Sequence, residues 1–169
     1  AEKKDLPAVH AYEPGSVFKL FSVASFIDSG CISEDETFFC DGVFDVRSTN
    51  GERVRITCLD RHGPLTARQA LQYSCNDALA QMSQKIDSEL FLQRIRQFGF
   101  GKKTGIELPG ETKGSVKTIE DKLWSARSKP TISIGQEISV SAIQMVQAAT
   151  SFTNGGVPLK LTLISHIDD

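Results

Sequence analysis

Between Ser16 and Ile27 the chain carries a single charge, Lys19, in a run otherwise made of apolar residues and small serines. Phe18, Phe21, Val23, Phe26 and Ile27 recur with mainly helical spacing, which predicts a strongly hydrophobic helix starting at Ser16 and ending at Gly30. Such a helix is stable only with most of its circumference covered, so it belongs at the centre of a domain. The 169 residues suffice for one domain with a core of that kind.

The lone lysine demands an account. Ser16 and Lys19 stand three apart on the helix, which makes their side chains neighbours, with Cβ atoms about 5–6 Å apart. A serine hydroxyl is a poor nucleophile without an adjacent base. A lysine becomes that base when burial disfavours its ammonium form. The helix N-terminus supplies free N–H groups and partial positive charge, suited to an acyl oxyanion. Alone, the S-x-x-K letters describe equally well a serine cap followed by a solvated lysine. The tight entry through Tyr12-Glu13-Pro14-Gly15 and the apolar surroundings of Lys19 favour the chemical reading.

A net charge of −2 provides no basic patch for nucleic acid and no polybasic membrane signal. No apolar run reaches the length of a membrane span, and no signal peptide is expected at the start of the sequence. The chain opens Ala1-Glu2-Lys3-Lys4-Asp5 and stops at Asp168-Asp169, ends expected of a piece of a longer protein. Cys31, Cys40, Cys58 and Cys75 contain no C-x-x-C pair, and His10, His62 and His166 are scattered, so a structural zinc site is not expected. A Cys40–Cys58 disulfide, if the protein works outside the cytoplasm, and free buried thiols both remain open.

Further along, Asn50-Gly51 signals a hairpin and Val54-Arg55-Ile56-Thr57 a strand. Thr66 with Gln69 reads as a capping box for a helix through Tyr73, and further helices are expected over 77–85, from Ser88 to Gly99, and from Ser141 to Asn154-Gly155-Gly156. Residues 99–114 and the stretch before Ser141 read as loop, and Leu159 to Ile167 as a strand. Trp124, Tyr73 and the helically spaced phenylalanines are expected in the core. His62 is expected in a turn without a partnering cluster, Glu111 to be a loop charge, and Asp77 a first-turn helix residue.

Tyr12-Glu13-Pro14-Gly15-Ser16-Val17-Phe18-Lys19 resembles the active-site box of the class B penicillin-binding proteins, the monofunctional peptidoglycan transpeptidases. Ser74-Cys75-Asn76 is similar to that family's S-x-N box. Ser48-Thr49-Asn50 spells the same pattern in a polar turn, where Asn50 is expected to supply positive φ. The segments Phe98–Glu111, Ser133–Gln136, Ser139–Gln144 and Asn154-Gly155-Gly156 resemble later parts of the family, with Glu137 where a glycine is commoner. Lys103-Thr104-Gly105 spells the third box, K-T-G. Its setting among Gly99, Gly101 and Gly110 is too glycine-rich for a packed strand, so it is not taken as catalytic.

The resemblance implies a mixed α/β penicillin-binding transpeptidase fold, of which residues 1–169 are the helical middle with few sheet strands and no genuine third box. It implies Ser16 as nucleophile, Lys19 as base, Ser74 as proton relay and Asn76 as holder of Lys19 and of a substrate amide. No metal and no organic cofactor is expected. The expected partners are peptidoglycan stem peptides, β-lactam antibiotics and other cell-wall synthesis proteins, with no nucleic acid. The parent is expected to be membrane-anchored on the extracytoplasmic face of a bacterial inner membrane, and the isolated chain to acylate poorly. The rival readings are a serine β-lactamase or β-lactam sensor, which fast penicillin turnover would reveal, and a non-catalytic cell-wall scaffold.

Overall fold

The structure, a computed structural model, describes residues 5–164. The chain runs through α1 (Leu6–Val9), a 3-10 turn (Gly15–Phe18), α2 (Lys19–Asp28), β1 (Thr37–Cys40), β2 (Val43–Arg47), β3 (Arg53–Thr57) and β4 (Gly63–Thr66). It continues with α3 (Ala67–Gln72), α4 (Asn76–Ser83), α5 (Ser88–Gln97), α6 (Ser128–Ser133), α7 (Ala142–Thr150) and a closing 3-10 turn (Ser151–Thr153). Helices predominate, and the four strands form two separate antiparallel pairs. That mixed α/β content with few strands is the composition the sequence predicts.

The expected apolar helix is present, and it lies in the core. Phe21 of α2 meets Phe98, Phe100 and Phe152 at ring-centroid distances of 5.2, 5.1 and 5.5 Å, and Phe26 meets Phe91 of α5 at 5.2 Å. Full burial of Phe21 and Phe26 contributes about 1.5–3 kcal/mol each, enough to fix the helix against its neighbours. Ser25 is tolerated inside because its hydroxyl donates to the Phe21 carbonyl one turn back, at 2.8 Å. The helix differs from expectation in its first turn, which is 3-10 rather than α.

β2 and β3 form the predicted hairpin, with register from Val43↔Thr57 to Arg47↔Arg53. Val54 and Ile56 point inward and alternate with exposed Arg53, Arg55 and Thr57. The positive φ at the turn, +86°, belongs to Gly51, not to Asn50. Asn50 instead caps the turn, its Oδ1 accepting from the Glu52 amide at 3.1 Å. β1 pairs with β4 from Thr37↔Thr66 to Cys40↔Gly63, which carries the chain from the sheet directly into α3.

The capping boxes of Thr66 with Gln69 and Ser141 with Gln144 are both formed. At α5 the cap is Asp87 rather than Ser88. Its carboxylate accepts from the amides of Glu89 and Leu90, and an anion suits a helix N-terminus better than a hydroxyl. α6 lies within the stretch read as loop. It is six residues long and buried almost all round, so it offers no polar–apolar period to read. Residues 159–164 are not a strand, because no described backbone runs beside them to form a ladder. The Leu163 amide and Thr162 hydroxyl are held instead by the Glu107 carboxylate, at 3.1 and 3.0 Å. The rest of the expected strand, 165–167, lies outside the described residues.

Candidate active site

The nucleophile candidate is delivered by a pinned turn. Tyr12 and Val140 exchange two backbone hydrogen bonds of 2.9 Å, and the Gly15 amide donates to the Gly135 carbonyl at 2.8 Å. Gly135 sits at φ +83°, and a Cβ there would fall within the van der Waals envelope of the Gly15 carbonyl oxygen, 2.6 Å from its carbon and 2.8 Å from its nitrogen. Only glycine permits this approach. Glu137, at φ +55°, explains why glycine suits that position too. Its amide donates to the Glu13 carboxylate at 2.8 Å, and its own carboxylate accepts from Lys117 Nζ at 2.7 Å and the Ser128 hydroxyl at 2.9 Å. These bonds stiffen the loop and offset the backbone cost.

Ser16 is exposed, in the 3-10 turn, and the Lys19 amide donates to its carbonyl. In a 3-10 turn residues i and i+3 eclipse one another, so Ser16 and Lys19 are stacked along one edge. Lys19 itself is only 1% exposed. Its ammonium donates to the Ser74 carbonyl at 2.5 Å, the Ser74 hydroxyl at 2.9 Å and Asn76 Oδ1 at 2.6 Å. Three donors meet three acceptors, across more than fifty residues of sequence. Burial nevertheless dominates and lowers the Lys19 pKa to about 8, with Cys58 and Cys75 pulling weakly the other way.

Ser74 faces Lys19 with both its oxygens because of an uncommon backbone. At the end of α3 the Cys75 amide donates to Ala70 O at 2.8 Å and the Ser74 amide to Leu71 O at 3.0 Å, the Schellman pattern. Ser74 takes the left-handed position of that motif, φ +52°, where glycine is usual. No sequence signal announces this, since a serine there reads as ordinary loop. Asn76 opens α4 and bridges outward: its Nδ2 donates to the Thr57 carbonyl at the end of β3, at 3.0 Å.

Of the three acceptors around Lys19, only the Ser74 hydroxyl can reverse and become a donor. When Lys19 is neutral, two N–H bonds to Ser74 O and Asn76 Oδ1 can persist while its lone pair accepts a proton. The arrangement can therefore take a proton from a hydroxyl and pass it through Ser74.

Lys103-Thr104-Gly105 is placed elsewhere in kind. The Thr104 amide and hydroxyl each donate to Glu111 Oε1 at 2.6 Å, and the Gly105 amide donates to Glu111 Oε2 at 3.1 Å. The tripeptide is a loop gathered around a carboxylate, with Lys103 exposed and Gly105 at φ +79°. Glu111 is thus a buried structural anion (7% exposed), not a solvated loop charge.

The clustering of three cysteines with His62 departs most from expectation. All four cysteines are free thiols, so the Cys40–Cys58 bridge is not formed. Cys40, Cys58, Cys75 and His62 converge, their ligand atoms all within 4.8 Å of one another. Cys40 Sγ and Cys58 Sγ stand 3.5 and 3.6 Å from His62 Nδ1, and Cys58 Sγ stands 3.7 Å from Cys75 Sγ. The β1–β4 pairing and the β3–α4 approach bring together residues whose spacing shows no metal motif. Tyr73 is half-exposed rather than core, and its ring stacks on His62 at 5.5 Å, whereas Trp124 packs against the core as expected.

Residues 5–169 match the penicillin-binding protein transpeptidase domain. The chain is 32% identical over 154 residues to stage V sporulation protein D of Bacillus subtilis, covering 90% of this chain and 23% of that protein. It is likewise 32% identical over 154 residues to penicillin-binding protein PbpB of Mycobacterium tuberculosis, covering 89% and 22%. The chain thus spans about a quarter of the length of these relatives. Penicillin-binding protein 3 of M. tuberculosis, solved with aztreonam, superposes with a TM-score of 0.82 at 29% identity, covering 94% of this chain and 34% of that one. A Burkholderia ambifaria peptidoglycan glycosyltransferase shares the fold at TM-score 0.85 and 22% identity, over 96% of this chain and 50% of that one. With the S-x-x-K turn and the S-x-N loop meeting at Lys19 inside that matched span, the chain belongs to the penicillin-binding protein transpeptidase domain family.

Proposed function

We propose that this chain carries the nucleophile, base and relay of a peptidoglycan D,D-transpeptidase. The observation that carries the reading is the Lys19 ammonium, buried at the foot of the Ser16 turn and held by both oxygens of Ser74 and by Asn76 Oδ1. Neutral Lys19 takes the proton from the Ser16 hydroxyl as Ser16 Oγ attacks the penultimate D-alanine carbonyl of a stem peptide. The tetrahedral intermediate collapses with cleavage of the D-Ala–D-Ala amide bond. The departing D-alanine amine takes its proton from Lys19 through the Ser74 hydroxyl. An amine of a neighbouring strand then attacks the ester, forming the cross-link and freeing Ser16. β-Lactams enter by the same attack and remain as slowly hydrolysed esters on Ser16.

On this reading the protein works on the extracytoplasmic face of the bacterial inner membrane, anchored there, with other cell-wall synthesis proteins in division or cell-shape maintenance. Among the described residues no helix is long and apolar enough to cross a membrane. The test is fluorescent-penicillin labelling of the full-length protein, with peptide mass spectrometry to locate the adduct. A stable adduct on Ser16, abolished by Ser16→Ala, is expected. An adduct on another residue, or rapid penicillin turnover, would overturn the reading in favour of a different site or a β-lactamase.

A further inference from the structure

Around a tetrahedral zinc ion with Zn–S of about 2.3 Å and Zn–N of about 2.0–2.1 Å, two sulfurs lie about 3.7–3.8 Å apart and a sulfur and a nitrogen about 3.5–3.6 Å apart. The measured separations are 3.7 Å for Cys58 Sγ to Cys75 Sγ, 3.5 Å for Cys40 Sγ to His62 Nδ1 and 3.6 Å for Cys58 Sγ to His62 Nδ1. Three edges of one coordination tetrahedron are therefore already drawn at their ligated lengths. The remaining three separations all fall within 4.8 Å. The sulfurs also stand well beyond the about 2.05 Å of a disulfide.

We propose that Cys40, Cys58, Cys75 and His62 Nδ1 bind one soft divalent transition-metal ion, zinc by preference, as a Cys3His tetrahedral site. Three thiolates and an imidazole match the ligand softness and geometry of structural zinc and leave no position open for water. The ligands come from four different places: Cys40 ends β1, Cys58 follows β3, His62 precedes β4 and Cys75 caps α4. An ion here ties both strand pairs to the helix that carries Asn76. The supporting shell is in place. The Ala78 amide donates to Cys75 Sγ at 3.3 Å, and Tyr73 stacks on the His62 ring and sets its plane. Cys40 and Cys75 are buried while Cys58 and His62 are partly exposed, which provides a route of entry.

The site has a place in the chemistry as well as in the fold. Cys75 is the middle residue of Ser74-Cys75-Asn76, so a metal bond to its sulfur fixes the residue between the two that hold Lys19. The metal site does not depend on the acyl-transfer reading, and its test does not use activity.

The experiment is metal analysis of the folded full-length protein after loading with zinc and removal of excess, with cobalt(II) replacement followed by absorption spectroscopy. About one zinc per chain is expected, as for a four-ligand structural site. Cobalt should give intense tetrahedral d–d bands and thiolate-to-metal charge transfer. His62→Ala and Cys58→Ser should each cut metal content at least several-fold and remove those bands. If either variant fails to fold, the cobalt spectrum of the unaltered protein decides alone. Folded protein that takes up no zinc, that carries a disulfide among these cysteines, or whose variants retain wild-type metal overturns the proposal.

Discussion

Gly135→Ala is the substitution that most directly tests how the Ser16 turn is held. The new methyl group would stand inside the contact envelope of the Gly15 backbone, so either the Gly15 turn or residue 135 must retreat by on the order of 1 Å. An alanine at φ +83° adds about 1–2 kcal/mol of backbone strain. Loss of the 2.8 Å bond from the Gly15 amide to the Gly135 carbonyl adds about 0.5–1.5 kcal/mol. The sum, about 1.5–3.5 kcal/mol, is a large but survivable loss. Activity should suffer more, because Ser16 follows Gly15 directly, and a misplacement near 1 Å can cost about 100-fold in rate.

The assay is the second-order rate of penicillin acylation by the full-length protein, with circular dichroism as the check on folding. Gly15→Ala is the matched control. Gly15 also has positive φ, +59°, but nothing lies within 4 Å of a Cβ built there. It should lose little more than the strain and retain a rate within several-fold of wild type. If folded Gly135→Ala protein acylated within about threefold of wild type, or if Gly15→Ala were equally damaged, the close approach would not be what positions Ser16.

Other consequences can be checked in the same protein. Because burial lowers Lys19 to about 8, its neutral fraction and hence the acylation rate should rise about tenfold per pH unit below that value and level off above it. A rate flat from pH 6 to 9 would remove Lys19 as the base. Glu111→Gln weakens charge-assisted bonds to Thr104 and Gly105 and should cost about 1–3 kcal/mol in urea unfolding, whereas Lys103→Ala should leave both labelling and stability unchanged; loss of labelling in Lys103→Ala would place that lysine in the active site after all. Stripping metal with a chelator should lower the unfolding midpoint of the wild-type protein but not of His62→Ala, read by thermal melts with and without added zinc.

The parts of this fold that could be read in advance are those set by local rules. The α2 core stripe, the Asn50-Gly51 hairpin, the Thr66 capping box and the helix start at Ser141 all depend on neighbours within a few residues, and all are present. Ser16, Lys19, Ser74 and Asn76 were recognisable by motif, and the latter three meet in the fold. What sequence could not supply is the left-handed Ser74, whose cost is carried by contacts from elsewhere in the chain. The thiol–imidazole cluster was hidden for a related reason. Its members are adjacent only through strand pairing and the packing of α4, although Cys58 and His62, four apart, were a clue. The rejected K-T-G rested on glycine content, and the Glu111 carboxylate is the physical cause that composition could not reveal.

Asn76 has one more implication. Its carbonyl oxygen is committed to Lys19 and its amide nitrogen to Thr57, so the side chain cannot flip without breaking a bond at either end. Its neutrality matters as much as its orientation. An aspartate would grip the lysine harder, yet it would favour the ammonium and, on the proposed reading, leave the base protonated. It would also turn a bare oxygen on Thr57, replacing a bond with a repulsion between two acceptors. Asn76 thus works as an electrically silent spacer: it fixes where the lysine stands while leaving its proton free to depart.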